Sequence, residues 1–294
     1  MSRKGVIILV VVLVAVVVAT GLLIGLLVLI DIGTTDNPLS GLGSALGYLE
    51  VEGTILDSRQ FIRELRSLEK NPSVKGLLIR VDSPGGSVTP AHEIYSEIRR
   101  VRGAGKPVVV SMGTLAASGG YYVASAADVI VANPGTLTGS IGVIMEFPIV
   151  KGLMDKLGLE VAVVKSAAHK DIGSPFRRMT GSDEELLQSV VLDVYEQFLE
   201  VVSVERGLPL DSLRKVADGR ILTGRQARDY GLVDTLGTFE QAKFIAADLC
   251  GIRGEPRLIR PRPRLRSLLL QFLEGAADRV FGWPRSARLA YRWP

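Results

Sequence analysis

Two glycine-rich turns carry residue types suited to acyl-transfer chemistry. They are Asp82-Ser83-Pro84-Gly85-Gly86-Ser87 and Ala116-Ala117-Ser118-Gly119-Gly120-Tyr121. A Gly-Gly pair lets backbone N–H groups come close to a bound group. Such donors can hold the oxygen of a tetrahedral intermediate, worth roughly 3–4 kcal/mol each. A serine at a helix start sits beside unpaired N–H groups and the positive end of the helix dipole, which suits a nucleophile. Alone, Pro-Gly-Gly reads as a turn and Ser118 as a helix N-cap. Two such turns after successive strands weaken that plainer account without removing it. Phosphate cradles are excluded more firmly, since neither G-x-x-x-x-G-K-[ST] nor a matching G-x-G-x-x-G is present.

A serine nucleophile needs a base, and the chain has only two histidines, His92 and His169. His92 falls in the first turn of the helix after the first Gly-Gly turn, and no motif marks it. His169 adjoins Lys170 in the polar stretch Lys165-Ser166-Ala167-Ala168-His169-Lys170-Asp171-Ile172-Gly173-Ser174-Pro175. A lysine serves as base when burial lowers its pKa from about 10.4 toward 7–8. For a loop lysine the ordinary state is a solvated charge, and periodicity alone does not change that.

The elements that must hold these residues alternate between strand and helix. Strand patterns cover Leu46–Ile55, Lys75–Val81, Pro107–Met112, Asp128–Ala132 and Leu159–Lys165, with Ser140–Met145 continuing the alternation. Helical patterns cover Ser58–Lys70, Pro90–Val101, Ser118–Ala126 and a segment near Lys151–Leu157. A capping box of Ser182 with Glu185 opens a long helix to Arg206. The first helix presents Phe61, Ile62, Leu65 and Leu68 on one face, and Pro90 suits a first helical position behind Thr89. The apolar run Lys75–Val81 fits a parallel strand covered on both faces. The order predicts an α/β domain with helices packed on a sheet, and ligands collect at the strand ends of such sheets.

Of the 294 residues, 47% are hydrophobic and the mean hydropathy is +0.28, with much of the excess at the N-terminus. Val6–Ile30 carries no charge, lies between Arg3-Lys4 and Asp31, and is long enough for a helix spanning a bilayer core of roughly 30 Å. The run exceeds a signal-peptide core and has no clear cleavage site behind it. Positive charge before it places the N-terminus inside and the body outside. The expected order is 1–5 cytoplasmic, 6–30 anchor, 31–45 linker, 46–251 α/β domain and 252–294 basic tail. In that tail Leu265, Leu268, Leu269, Phe272, Leu273, Ala276, Val280 and Phe281 recur at helical spacing, then Trp283, Tyr291 and Trp293 follow. The tail has three possible partners: the body or a neighbouring copy, the membrane interface, or the chain's own active site as substrate or plug. Lys plus Arg is 35 against 31 acidic residues, too small an imbalance to point to nucleic acid. The single Cys250 excludes an intrachain disulfide and a cysteine metal cluster and reads as a packed thiol. Met145 and Phe147 read as core, with a substrate pocket as the alternative.

Four motifs occur together: Asp82-Ser83-Pro84-Gly85-Gly86, Ala116-Ala117-Ser118-Gly119-Gly120-Tyr121-Tyr122, Thr138-Gly139-Ser140-Ile141-Gly142-Val143 and Lys165-Ser166-Ala167-Ala168-His169-Lys170-Asp171. In that order and spacing, roughly Leu46–Cys250 resembles the signal peptide peptidase A family, short single-domain form, of the Clp protease and crotonase superfamily. Ala217-Asp218-Gly219-Arg220, Thr223-Gly224, Ala227 and Gly231-Leu232-Val233-Asp234 also match. The resemblance implies a repeated β-β-α spiral core and a serine/lysine dyad, with Ser118 as nucleophile and Lys170 as general base. It implies that Ser140 orients the lysine, that Gly86 and Gly119 donate to the oxyanion, and that Gly85 shapes the turn. It further implies hydrophobic peptide substrates such as signal-peptide remnants, a homo-oligomeric ring with each dyad near a subunit interface, and no metal or other cofactor.

Three alternatives accompany the peptidase. A crotonase-like acyl-thioester enzyme would use the paired N–H groups with coenzyme A and no nucleophile. A scaffold of the same fold would organise membrane proteins without catalysis. A protease using His169 as base would leave Lys170 dispensable.

Overall fold

The computed structural model describes residues 43–261 and the backbone of Ala290–Arg292. The expected anchor at 6–30 and the expected amphipathic helix of the tail lie outside these residues. Among the described residues no helix is long and apolar enough to cross a membrane.

The first half runs β1 Ala45–Glu52, α1 Arg59–Glu69, β2 Val74–Ser83, β3 Gly85–Ser87, α2 Val88–Gly103, β4 Val108–Ala117, α3 Gly119–Ala124, β5 Val129–Ala132 and β6 Leu137–Gly139. Then follow α4 Lys151–Leu157, α5 Gly181–Arg206, α6 Leu210–Arg214, β7 Ile221–Thr223, α7 Gly224–Asp229, β8 Thr235–Leu236, α8 Phe239–Leu249, β9 Arg257–Ile259 and β10 Ala290–Arg292. The main sheet has the order β7-β6-β4-β2-β1-β9, with β5 between β4 and β8. Its pairings are parallel except β6–β7. This is the mixed α/β fold with a parallel sheet that the alternation predicts.

Strand β2 shows why the sheet reads as an apolar run. Leu77, Ile79 and Val81 enter a core with α1, α2, α3 and α5, whereas Leu78 enters a second core beneath α8. Alternate residues point to opposite faces, and both faces are covered. Helix α1 buries Phe61, Leu65 and Leu68. It is tied to α2 by Arg66 on Glu97 at 2.7 Å and by Arg100, which reaches both Glu69 and Glu97.

Several boundaries differ from the sequence pattern, each for a local reason. Helix α2 starts at Val88, two residues before Pro90, because β3 ends at Ser87. The long helix is capped by Thr180 with Asp183, not by Ser182 with Glu185: the Thr180 hydroxyl accepts from the Asp183 N–H, and Asp183 bonds back to the Thr180 N–H. Leu159–Lys165 forms no strand and Ser140–Met145 only an isolated bridge residue. Among the described residues the 159–165 segment has no neighbouring strand to pair with, and Leu159, Val161, Val163 and Val164 stand exposed. The sheet also runs beyond residue 251, since β9 pairs in parallel with β1. Cys250 caps α8 half-buried, with its Sγ against Gly76, and burial raises its thiol pKa.

Candidate active site

Strands β2 and β4 are neighbours, so the turns that follow them lie side by side, with Ser83 opposite Ala116. Asp82 holds this end of the sheet. Its Oδ1 accepts from the Leu115 N–H at 3.0 Å, and Gly113 leaves the room its carboxylate fills. Gly120 lets α3 settle on the first turn: a Cβ there would lie 2.6 Å from the Ser83 carbonyl oxygen. These contacts set Ser118-Gly119 beside Gly85-Gly86.

Gly86 cannot carry a side chain, because a Cβ would sit 2.2 Å from the Ile55 carbonyl oxygen. The Ile55 N–H donates to Gly85 O and the Ser87 N–H donates to Ile55 O, both at 2.8 Å. Those bonds use one edge of β3, so the Gly86 N–H and C=O face the opposite edge. At that edge β10 pairs antiparallel, with Tyr291 opposite Gly86. Gly85, at φ +96°, supplies a turn conformation that other residues resist.

Ser118 is the N-cap of α3 with φ 54° and ψ −119°. Among the described residues only Ser118 and Ser140 are non-glycine residues with positive φ. Such strain persists where surrounding contacts impose it, and it concentrates at functional sites. The contacts are visible. The Ser118 N–H donates to Gly139 O and the Ser140 N–H to Arg220 O, each at 2.8 Å, while the Thr138 hydroxyl fixes Ala116 O. Gly119 opens α3, so its N–H has no acceptor within the helix. Ser118 is 1% exposed, yet its Oγ has no hydrogen-bond partner among the described residues. A buried hydroxyl left unpaired carries a desolvation cost of about 1–3 kcal/mol.

The structure therefore brings together Ser118, Gly119, Gly85, Gly86 and Ser140. It does not bring Lys170 to Ser118 within one chain. Lys170 is exposed, in the turn after Ala167, with no side-chain partner among the described residues. Neither histidine meets Ser118: His92 Nδ1 pairs with the Tyr122 hydroxyl at 2.8 Å, and His169 Nδ1 with Asp183 at 3.1 Å. Phe147 packs on Gly173 in the lysine loop, whereas Met145 is only half-buried. A cavity of about 370 Å³ opens on the α8 side, lined by Arg80, Met112, Thr136 and Phe239 among others, but not by Ser118.

Residues 100–253 match the Peptidase family S49 profile, and residues 49–134 match the Clp protease profile. The chain belongs to peptidase family S49. Its fold is accordingly Clp-protease-like, and its chemistry is that of a serine peptidase. A Synechocystis protein provisionally assigned as a protease is 39% identical over 231 residues, 76% of this chain and 82% of its own. One from Methanocaldococcus jannaschii, similarly assigned, is 44% identical over 186 residues, 63% of this chain and 60% of that relative. The Arabidopsis thaliana protein named serine protease SPPA, chloroplastic, is 32% identical over 244 residues, 82% of this chain but 36% of that one. The chain thus spans most of the Synechocystis relative, 60% of the Methanocaldococcus one and about a third of the plant one.

Sequence reasoning did not single out Asp82, Arg177 or Asp183 as site residues. Asp82 was visible as part of a motif. The other two offered only acidic and basic residue types beside an interrupted apolar pattern.

Proposed function

We propose that this S49 chain is a membrane-anchored endopeptidase in which Ser118 is the nucleophile and Lys170 the general base. The carrying observation is the Ser118 hydroxyl: buried, strained, without a hydrogen-bond partner among the described residues, and beside the Gly85-Gly86 turn and the Gly119 N–H, which has no acceptor within its helix. In acylation the neutral Lys170 amine takes the Ser118 proton while Oγ attacks the peptide carbonyl. The Gly86 and Gly119 N–H groups hold the oxyanion, and the ammonium returns its proton to the leaving amine. In deacylation the lysine activates water against the acyl-serine. Ser140, one residue beyond the Ser118 N–H···Gly139 contact, orients the lysine in this reading.

The lysine reaches Ser118 from a second copy of the chain, in a homo-oligomeric ring. Two observations support this: Lys170 is exposed with no side-chain partner among the described residues, and the segment around it carries exposed apolar residues. Ile149, Leu153, Leu157, Leu159, Val161 and Val163 are each roughly half exposed and Val164 fully so, the kind of band that marks an interface. The unpaired 159–165 segment would find its strand partner there. The repeated β-β-α spiral is the finer form of the fold.

Substrates bind as an added strand on β3, with Gly86 facing them. The antiparallel seat of β10 on that edge supports this mode, and β10 also lies against α3. The tail is then a resident competitor for the site. Extended apolar peptides such as signal-peptide remnants suit a chain anchored through residues 6–30 with its body outside the cytoplasm.

The test is hydrolysis of a hydrophobic fluorogenic peptide by full-length chain in detergent. S118A and K170A are each expected to be inactive alone. Mixed and allowed to reassemble, they regain a substantial fraction of activity, because one supplies serine and the other lysine. Failure of the mixture would refute the shared site; activity of K170A alone would refute lysine as base and bring His169 forward.

A further inference from the structure

The loop that carries Lys170 contains a closed set of charged partners, and Lys170 is the member left out of it. Lys165 Nζ donates to Asp171 Oδ1 at 2.7 Å and to the Ala168 carbonyl at 2.8 Å. Arg177 grips Asp171 with Nε and one terminal nitrogen, both at 2.9 Å. Its other terminal nitrogen reaches Asp183 Oδ2 at 2.6 Å. His169 Nδ1 lies 3.1 Å from Asp183 Oδ1. Of the charged and histidine side chains between 165 and 177, all but Lys170 are thereby engaged. The residues on either side of the lysine are joined to the same guanidinium, Asp171 directly and His169 through Asp183.

This network does more than cap a helix. Thr180 and Asp183 already complete the cap of α5 between themselves, and Asp171 has no part in it. The two bonds to Asp171 instead fasten the loop to the start of α5. Three successive turns stiffen the same stretch, closed by Lys170 N–H on Ala167 O, Ile172 N–H on His169 O and Ser174 N–H on Asp171 O. A planar guanidinium spans two carboxylates as an ammonium cannot. The Asp171 and Asp183 side chains are largely buried in the contact, 11% and 3% exposed.

We infer that Arg177, acting with Asp171 and Asp183, is a positioning clamp that presents Lys170 to the nucleophile. The inference rests on Lys170 being the general base. Arg177 does not touch the reacting atoms; it fixes where the lysine backbone stands and keeps the Asp171 and Asp183 carboxylates paired.

The experiment compares full-length R177M, R177K, D171N and K170A in peptide hydrolysis, reading kcat and KM separately and kcat/KM against pH. Thermal unfolding is followed alongside. R177M is expected to lower kcat by about 10–100-fold with KM changed less than about threefold, as for a misplaced catalytic group. Its acid limb should move to higher pH, because losing the guanidinium leaves the Asp171 and Asp183 carboxylates uncompensated in the loop. D171N lowers kcat too, but its limb moves to lower pH, since a negative charge is lost while Lys165 and Arg177 remain. R177K recovers part of kcat. A purely structural network would change melting temperature without these opposed pH shifts. Wild-type kcat and pH limbs in folded R177M and D171N, with K170A inactive, overturn the clamp while leaving the lysine base intact. An active K170A overturns both. Should R177M fail to fold, D171N decides the matter, because it leaves the α5 cap whole.

Discussion

The Ser118 N–H donates to the Gly139 carbonyl at 2.8 Å, and this bond joins the two strained serines of the described structure. Gly139 directly precedes Ser140, so the backbone that aims the nucleophile also aims the residue proposed to orient its base. The bond extends the β4–β6 pairing, in which Ala117 lies opposite Gly139. The sheet edge thus delivers both serines at once.

The strain at Ser118 predicts a conflict between stability and activity. With φ at 54°, glycine fits better than serine, and no hydrogen bond of Oγ is lost on removing it. Ser118→Gly should raise stability by about 0.5–1 kcal/mol, a melting shift of a few degrees, while abolishing hydrolysis. A lower melting temperature would show that the hydroxyl stabilises the fold.

Gly86 predicts the opposite pairing of effects. Ala at this position forces a methyl into the Ile55 carbonyl, so β3 must shift and its N–H leaves the oxyanion position. Gly86→Ala should cost about 1–3 kcal/mol in stability and about 10²–10³ in kcat, measured by denaturation and steady-state kinetics. Near-normal kcat would remove Gly86 from the oxyanion hole.

The tail gives a third prediction. A chain ending at residue 287 lacks β10 and leaves the β3 edge open. Its KM for an extended peptide should fall several-fold with kcat little changed. Equal KM in the truncated and full chains would mean that β10 does not compete with substrate.

Glu97 gives an acid-stability prediction. Arg66, then Arg100, hold its carboxyl at about 2, below its ordinary value of 4.5. The folded pKa is depressed, so the stabilisation is complete above about pH 4.5 and fades as pH falls toward 2. Glu97→Gln should therefore lower the melting temperature at pH 7 and flatten its decline between pH 5 and pH 2. A decline as steep as wild type would assign acid lability elsewhere.

Much of this arrangement was legible because it is local. The periodicity of Phe61, Leu65 and Leu68 marks α1 to within a residue at each end, and the two Gly-Gly motifs mark the turns after β2 and β4. The cap at Thr180 was missed because Ser182–Glu185 satisfies the same spacing two residues later. Only the turn geometry, with Asp183 buried against Arg177, decides between them. Leu159–Lys165 has strand composition, but a strand also needs a neighbour, which the described residues do not provide. The pairing of β10 with β3 joins residues two hundred positions apart and leaves no periodic trace. The strain at Ser118 and Ser140 is likewise imposed by Gly139 and Arg220 from outside each turn.

Helix α5 has a role that follows from its two ends. Its first turn holds Arg177, Asp183 and so the lysine loop, while Phe198 near its far end stacks edge-on with Tyr122 of α3 at 5.0 Å, just behind the chain's own Ser118. A helix of 26 residues is about 39 Å long. In the proposed ring of shared lysines it would act as a ruler, setting the interval between the serine a chain owns and the site it completes next door. One added helical turn in its exposed first half would leave every catalytic group intact and the fold stable, yet put each lysine about 5 Å out of step.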